Sequence, residues 1–200
     1  MLLIAQIFWL NSAMAQPGQA GSELWPQGEA GTDYNLTDAS NKKEGQWVRV
    51  WPNGNLYYIG AFRAGNPVGE FTFFYETGEV MSEVVQTGNG NRAFTKLFRP
   101  DGSLQAEGLY LTSKEMDENG EPIRKKQGEW KYFDKNAHLR LLENYANDIL
   151  NGATQKIAEQ GQLLEEGEYL QGNRHGNWKT WDETGLLLSE IGYDNGHFHG

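Results

Sequence analysis

The chain has 200 residues, a formal net charge of -10 and a pI near 4.9, a balance that argues against reading a phosphate backbone or docking on an anionic membrane. It has no cysteine, which excludes disulfides, thiol nucleophiles, Cys-ligated zinc and a lipid-modified cysteine anchor. Its 25 glycines, 12% aromatics and mean hydropathy of -0.68 point to many turns and aromatic anchors, not a deep aliphatic core.

Met1 to Leu10 reads MLLIAQIFWL, an apolar run too short to span a bilayer. Asn11-Ser12 and an Ala13-Met14-Ala15 site follow, so residues 1–15 are expected to be a signal peptide cleaved before Gln16. The run departs from the usual pattern in having no Lys or Arg at its start. No other apolar segment is long enough to cross a membrane, and the exported product is expected to carry no transmembrane segment. Residues 16–44, rich in Gly, Gln, Ser, Thr, Asn and Asp, read as a flexible lead-in.

From Gly45 onward the chain repeats. Gly45-Gln46-Trp47 opens a unit that runs through Asn53-Gly54, Leu56, Gly60 and Phe62, and Gly69 opens the next, 24 residues on. A third unit runs through Phe94, Asp101-Gly102, Leu104, Gly108 and Tyr110. Gly128, Gly152 and Gly176 open three more at the same step, and Gly200 falls where a seventh would begin. Each unit has the grammar of a β-hairpin: an aromatic-rich strand, a turn such as Pro52-Asn53-Gly54, and a second strand. Asn-Gly and Asp-Gly favour tight hairpin turns, because both residues can take positive φ. Leu56, Tyr58, Gly60 and Phe62 share one face by alternation, and the glycine leaves room for a neighbouring ring to lie across the backbone. The expected fold is all-β: an elongated single-layer antiparallel sheet of about twelve strands, on the order of 55 Å long at ~4.8 Å per strand. Each hairpin would contact mainly its neighbours.

The Gly-x-Trp/Phe opening, the Asn-Gly turn, the Leu and the Gly-x-Tyr/Phe-x-x-Gly close resemble a MORN repeat, and most of all the longer bacterial MORN-variant repeats. The resemblance covers about residues 41 to 200. It implies a scaffold or binding module with no shared catalytic residues, and some relatives carry the label of antitoxin. Two stretches depart from the period. Near 112–126 an insertion containing Arg124-Lys125-Lys126 among acids is expected to form a protruding loop or longer hairpin. Leu139, Leu142, Tyr145, Ile149, Ala153 and Ile157 also fit helical spacing, but the repeat glycines run through that stretch and favour strands.

Catalytic constellations are not found. His199, like His175, immediately precedes a repeat position, so it reads as a turn residue, and His197 lacks a carboxylate partner nearby in sequence; no metal site is expected. Asp117 to Glu121 places its glycine too early for a calcium loop. Glu165-Glu166 and Asp182-Glu183, read on strands, point to opposite faces and do not form the paired carboxylates of a glycosidase. No nucleophile elbow, zinc-protease helix or phosphate loop occurs. The chain is therefore expected to be a non-enzyme without cofactor: an exported (periplasmic, cell-surface or secreted) scaffold for a protein partner or envelope glycan, with no nucleic acid. Its candidate contact residues are the aromatics Trp47, Trp51, Tyr58, Trp130, Trp178 and Trp181.

Overall fold

A computed structural model describes residues 33–116 and 122–199. The expected signal peptide, most of the lead-in, Asp117 to Glu121 and Gly200 lie outside those residues.

The strands in chain order are β1 (Leu36–Thr37), β2 (Lys43–Val50), β3 (Leu56–Arg63), β4 (Asn66–Phe74), β5 (Val80–Thr87), β6 (Arg92–Phe98) and β7 (Leu104–Met116). They continue as β8 (Pro122–Phe133), β9 (Leu139–Ala146), β10 (Ile149–Leu150), β11 (Gly152–Ile157), β12 (Leu163–Leu170), β13 (Asn173–Trp181), β14 (Leu187–Asp194) and β15 (His197–His199). All pair antiparallel in one open sheet whose spatial order is the chain order, with the short β10 beside β9. The stretch that also fitted helical spacing forms β9, β10 and β11, as the glycine period requires. The lead-in ends earlier than expected: Leu36 and Thr37 already pair with Glu44 and Lys43, because Asn35 takes φ 61° and lends its side-chain oxygen to the Val48 amide at 2.9 Å.

The turns divide by edge, and not as the sequence suggested. At Trp51-Pro52-Asn53-Gly54 the Gly54 amide donates to the Trp51 carbonyl and the Trp51 amide to that of Asn55; only Gly54 takes positive φ. The same bonding recurs at the turns starting at Tyr75, Arg99, Asp134, Ala158 and Asp182. The two-residue turns with both φ positive lie on the other edge, at Ala64-Gly65, Asn147-Asp148, Gln171-Gly172 and Asn195-Gly196. Such primed turns match the right-handed strand twist, which suits them to the tight reversals between hairpins. On the first edge, a carboxylate or amide at the turn's start or middle stands in for missing backbone partners: Asp182 Oδ1 accepts from the amides of Thr184 and Leu186 and from the Thr184 hydroxyl. Asp182-Glu183 is thus a turn, not a strand pair.

Hydrogen bonds from the Thr184 hydroxyl and backbone hold the Asp182 carboxyl below its usual range, and those from Ser103 do the same for Asp101. A depressed folded-state value contributes stability that is complete above the unfolded value near ~3.9 and fades as pH falls through the folded one. Thermal melts should therefore drop below about pH 4, and Asp182→Asn should flatten part of that slope, melting lower than wild type at neutral pH and converging with it in acid. A slope identical to wild type would remove Asp182 from the account.

The charged insertion extends one hairpin: β7 and β8 reach 13 and 12 residues where typical strands have 8. Its base is tied to the sheet by the Thr112 amide on the Asn91 carbonyl and the Thr112 hydroxyl on that of Gly90, and Arg124 stands 5.8 Å from the Phe73 ring.

Candidate functional site

Each repeat glycine has a mechanical task. Gly45, Gly69, Gly128, Gly152 and Gly176 take φ of 73°, 70°, 66°, 113° and 67°, a region that side chains with a Cβ rarely enter. At four of these points the pairing between hairpins slips: at Gly152, Leu150 is opposite Tyr145 but Gln155 opposite Leu142, and three more follow. Ile59 pairs with Thr72 but Ala61 with Val68; the same shift occurs opposite Gly108 and opposite Gly167. The bulge throws the residue two positions after the glycine across the preceding strand. Phe71 lies on Gly60, Trp130 on Gly108 and Trp178 on Gly167, so closely that a Cβ on any of these glycines would fall 2.1–2.4 Å from a ring atom. Gly200 lies outside the described residues.

Where the ring is an indole, its N–H serves a carbonyl of the preceding strand, for Trp130 and Trp178 one beside the slipped ladder. Trp130 Nε1 donates to the Leu109 carbonyl (3.2 Å), Trp178 Nε1 to that of Glu168 (3.1 Å) and Trp47 Nε1 to that of Leu36 (2.9 Å). A cation then covers the indole. Lys43 stands 4.8 Å from Trp47, Lys126 4.9 Å from Trp130 and Arg174 4.0 Å from Trp178. Each cation sits two residues before its repeat glycine, so the motif is Lys/Arg-x-Gly-x-Trp: KEGQW, KQGEW and RHGNW. Units whose ring position is Phe71 or Thr154 have Pro67 or Leu150 in the cation slot. Glycine and tryptophan alone do not reveal the pattern; the Lys or Arg two residues before the glycine is the signal that does.

Around Lys126 the pattern extends to a chain of polar tips. Its ammonium donates to the Tyr132 hydroxyl (2.7 Å), which lies 3.1 Å from the Tyr145 hydroxyl, and Tyr145 donates to the Glu143 carboxylate. Burial, then the Glu143 and Tyr132 contacts, push the Tyr145 hydroxyl far above its usual range, so it stays a donor.

This packing revises the list of contact residues. Trp130 is fully buried, Trp178 is 2% exposed and Tyr58 is 8% exposed, so none of the three offers a surface to a partner. They hold the sheet together. Trp47, Trp51 and Trp181 are half-buried. Trp51 is itself engaged: its Nε1 donates to the Phe74 carbonyl, the first rung of an edge ladder in which Tyr75 donates to Phe98 and Arg99 to Phe133.

The remaining expected sites come out plainly. His199 is in strand β15, opposite Gly192, and is not the turn residue its position implied; the period brings it there because the hairpin closes at Asn195-Gly196. His197 and His199 are both exposed. Glu165 meets Arg174 at 3.3 Å on one face while Glu166 pairs across to Lys179 on the other. Among the described residues no three His, Asp or Glu side chains gather as a metal-binding group, and no helix is long and apolar enough to cross a membrane. The acidic stretch Asp117 to Glu121 lies outside those residues.

Exposed apolar side chains concentrate elsewhere. In the last hairpin Leu186, Leu188 and Phe198 are 64%, 62% and 78% exposed. The position of Leu186 is polar in every earlier unit (Asn55, Glu79, Ser103, His138, Gln162), and Phe198 occupies the slot that Lys43, Lys126 and Arg174 fill.

The MORN repeat variant family matches residues 67–85 and 174–195, two hairpins in the first and last parts of the array. No curated protein matches the chain.

Proposed function

We propose that this MORN-repeat protein is an exported, non-catalytic scaffold that binds a protein partner through its last hairpin. MORN repeats generally serve as protein- or membrane-binding scaffolds. The observation that carries the reading here is the exposed Leu186, at a position polar in every earlier unit, with exposed Leu188 two residues on. Leu186 and Leu188, large apolar side chains exposed at one edge of a rigid array, suit an interface, because burying them on contact is favourable and no conformational order has to be created first. Of the other candidate rings, Tyr58, Trp130 and Trp178 are buried in the sheet, and Trp47 and Trp51 are hydrogen-bonded along it. Export rests on the apolar run at Met1 to Leu10 and the Ala13-Met14-Ala15 site.

Crosslinking and affinity capture from the native envelope, with wild-type bait and a Leu186→Ser/Leu188→Ser/Phe198→Ser variant side by side, tests both parts. The expected result is bait whose intact mass corresponds to cleavage before Gln16, and an envelope protein recovered by the wild type and at least tenfold depleted with the variant. Full-length bait in the cytosol would remove export. A partner retained by the variant would remove the last hairpin, and glycan in place of protein would change the ligand class.

A further inference from the structure

The face of the sheet opposite the stacked rings carries a second feature, in the middle of the array and independent of the last hairpin. Along β6 burial alternates: Ala93 and Thr95 are buried while Phe94 and Lys96 are exposed. Val85, Phe94 and Leu109 lie side by side across β5, β6 and β7, with Val85 43% and Phe94 46% exposed. The register position of Phe94, one residue after the repeat glycine, is Gln46, Glu70, Glu129, Ala153 or Asn177 in the other units. Only this unit puts a ring on the outside. It also has Ala93 where the others have glycine, and β5 pairs with β6 without a register shift, which spares this junction the extra twist of a bulge.

Directly beside the apolar row runs a charged one: Glu83, Lys96, Glu107 and Lys131, opposite one another on β5, β6, β7 and β8. Their signs alternate strand by strand. A row of that kind is its own complement. Turn a second copy about an axis parallel to the strands and passing between β6 and β7, and lay the two faces together. Lys96 then meets the second copy's Glu107, Glu83 meets the second copy's Lys131, and Phe94 meets the second copy's Leu109. An axis through a strand instead of between strands would set Glu83 against Glu107. Facing sheets pack about 10 Å apart with strands nearly aligned, a spacing these side chains span.

We propose that this face is a homodimer interface, with a two-fold axis between β6 and β7 and the Val85–Phe94–Leu109 row at its centre. It supplies the second layer that a single sheet lacks.

The test combines sedimentation of a dilution series with zero-length carbodiimide crosslinking of mixed isotope-labelled and unlabelled chain. Wild type should dissociate from dimer to monomer on dilution, and Phe94→Gln, which places at this register the residue that unit one carries, should shift the midpoint at least tenfold while the melting curves of the two monomers, taken well below both midpoints, coincide. Lys96→Glu should weaken the dimer as well, and Lys96→Glu/Glu107→Lys should restore it. The crosslinked peptide should join Lys96 to Glu107 between labelled and unlabelled copies. A monomer throughout the series, a dimer indifferent to Phe94→Gln, or Lys96–Glu107 links confined within one chain would each overturn the proposal, and none of them bears on capture by the last hairpin.

Discussion

Trp130→Ala should cost about 3–5 kcal/mol of stability, among the largest losses available to a single substitution in this chain. The side chain is fully buried, its N–H donates to the Leu109 carbonyl, and Lys126 and Tyr110 close over its ring. Gly108→Val should cost about 3 kcal/mol or more from the other side, because its Cβ would sit 2.4 Å from a Trp130 ring atom and the indole would have to leave its place. The pair tests the mechanism better than either single change. Elsewhere the chain meets a side chain at the glycine's register position with a small partner: Val84 faces Thr95, and Glu143 lies against the bulge that brings in Thr154. Gly108→Val/Trp130→Thr copies the first of these pairs, and its loss should be smaller than the sum of the singles by about 2 kcal/mol. Chemical denaturation of the four proteins gives the cycle. Strict additivity would mean that ring and glycine are not a unit.

That pairing also marks how far the fold was legible from sequence. The 24-residue recurrence of glycine, the hairpin grammar and a ring lying across a glycine were readable, because period and alternation carry them directly. What the period could not carry was which glycine serves which ring. Gly60 holds a residue from the next hairpin, Phe71, and only the bulge at Gly69 shows why. The turn types were inverted for a related reason. Asn-Gly in isolation favours a primed turn, but at Asn53-Gly54 the Asn53 side chain is drawn to the Glu76 carbonyl of the next hairpin at 2.9 Å, and only the glycine goes left-handed. Contact residues were the least legible part. Tryptophan signals an interface or a core equally well, and the Lys or Arg two residues before the glycine marks the indoles that pack on the sheet under a cation, Trp130 and Trp178 buried and Trp47 half-buried.

The same logic decides which parts of the array can be removed. A bare period would make every 24-residue deletion equivalent, since each leaves the next strand running in the right direction. The structure makes the phase matter. Deleting Gly152 to His175 joins Asn151 to Gly176, and the bulge at Gly176 then throws Trp178 onto Glu143 in place of Gly167. A Cβ and a carboxylate would stand where the indole needs bare backbone, and Tyr145 would lose the acceptor at Glu143. Deleting Gln155 to Trp178, the same length shifted by three residues, removes Gly167 together with its ring. Thr154 stays against Glu143, Trp130 stays on Gly108, and Lys179 continues the strand that Gln155 began. The in-phase deletion should melt cooperatively a few degrees below the full chain, through loss of one interface. The out-of-phase deletion should lose about 3 kcal/mol more, roughly 6–12 °C for a chain of this size, and expose strand edges that aggregate. Replacing Glu143 with Gly in the out-of-phase deletion supplies the missing seat and should recover most of the difference. Circular dichroism melts and light scattering on the three proteins measure it. Equal melting of the two deletions, or no recovery by Glu143→Gly, would show that the glycine and the ring do not set the phase of the repeat.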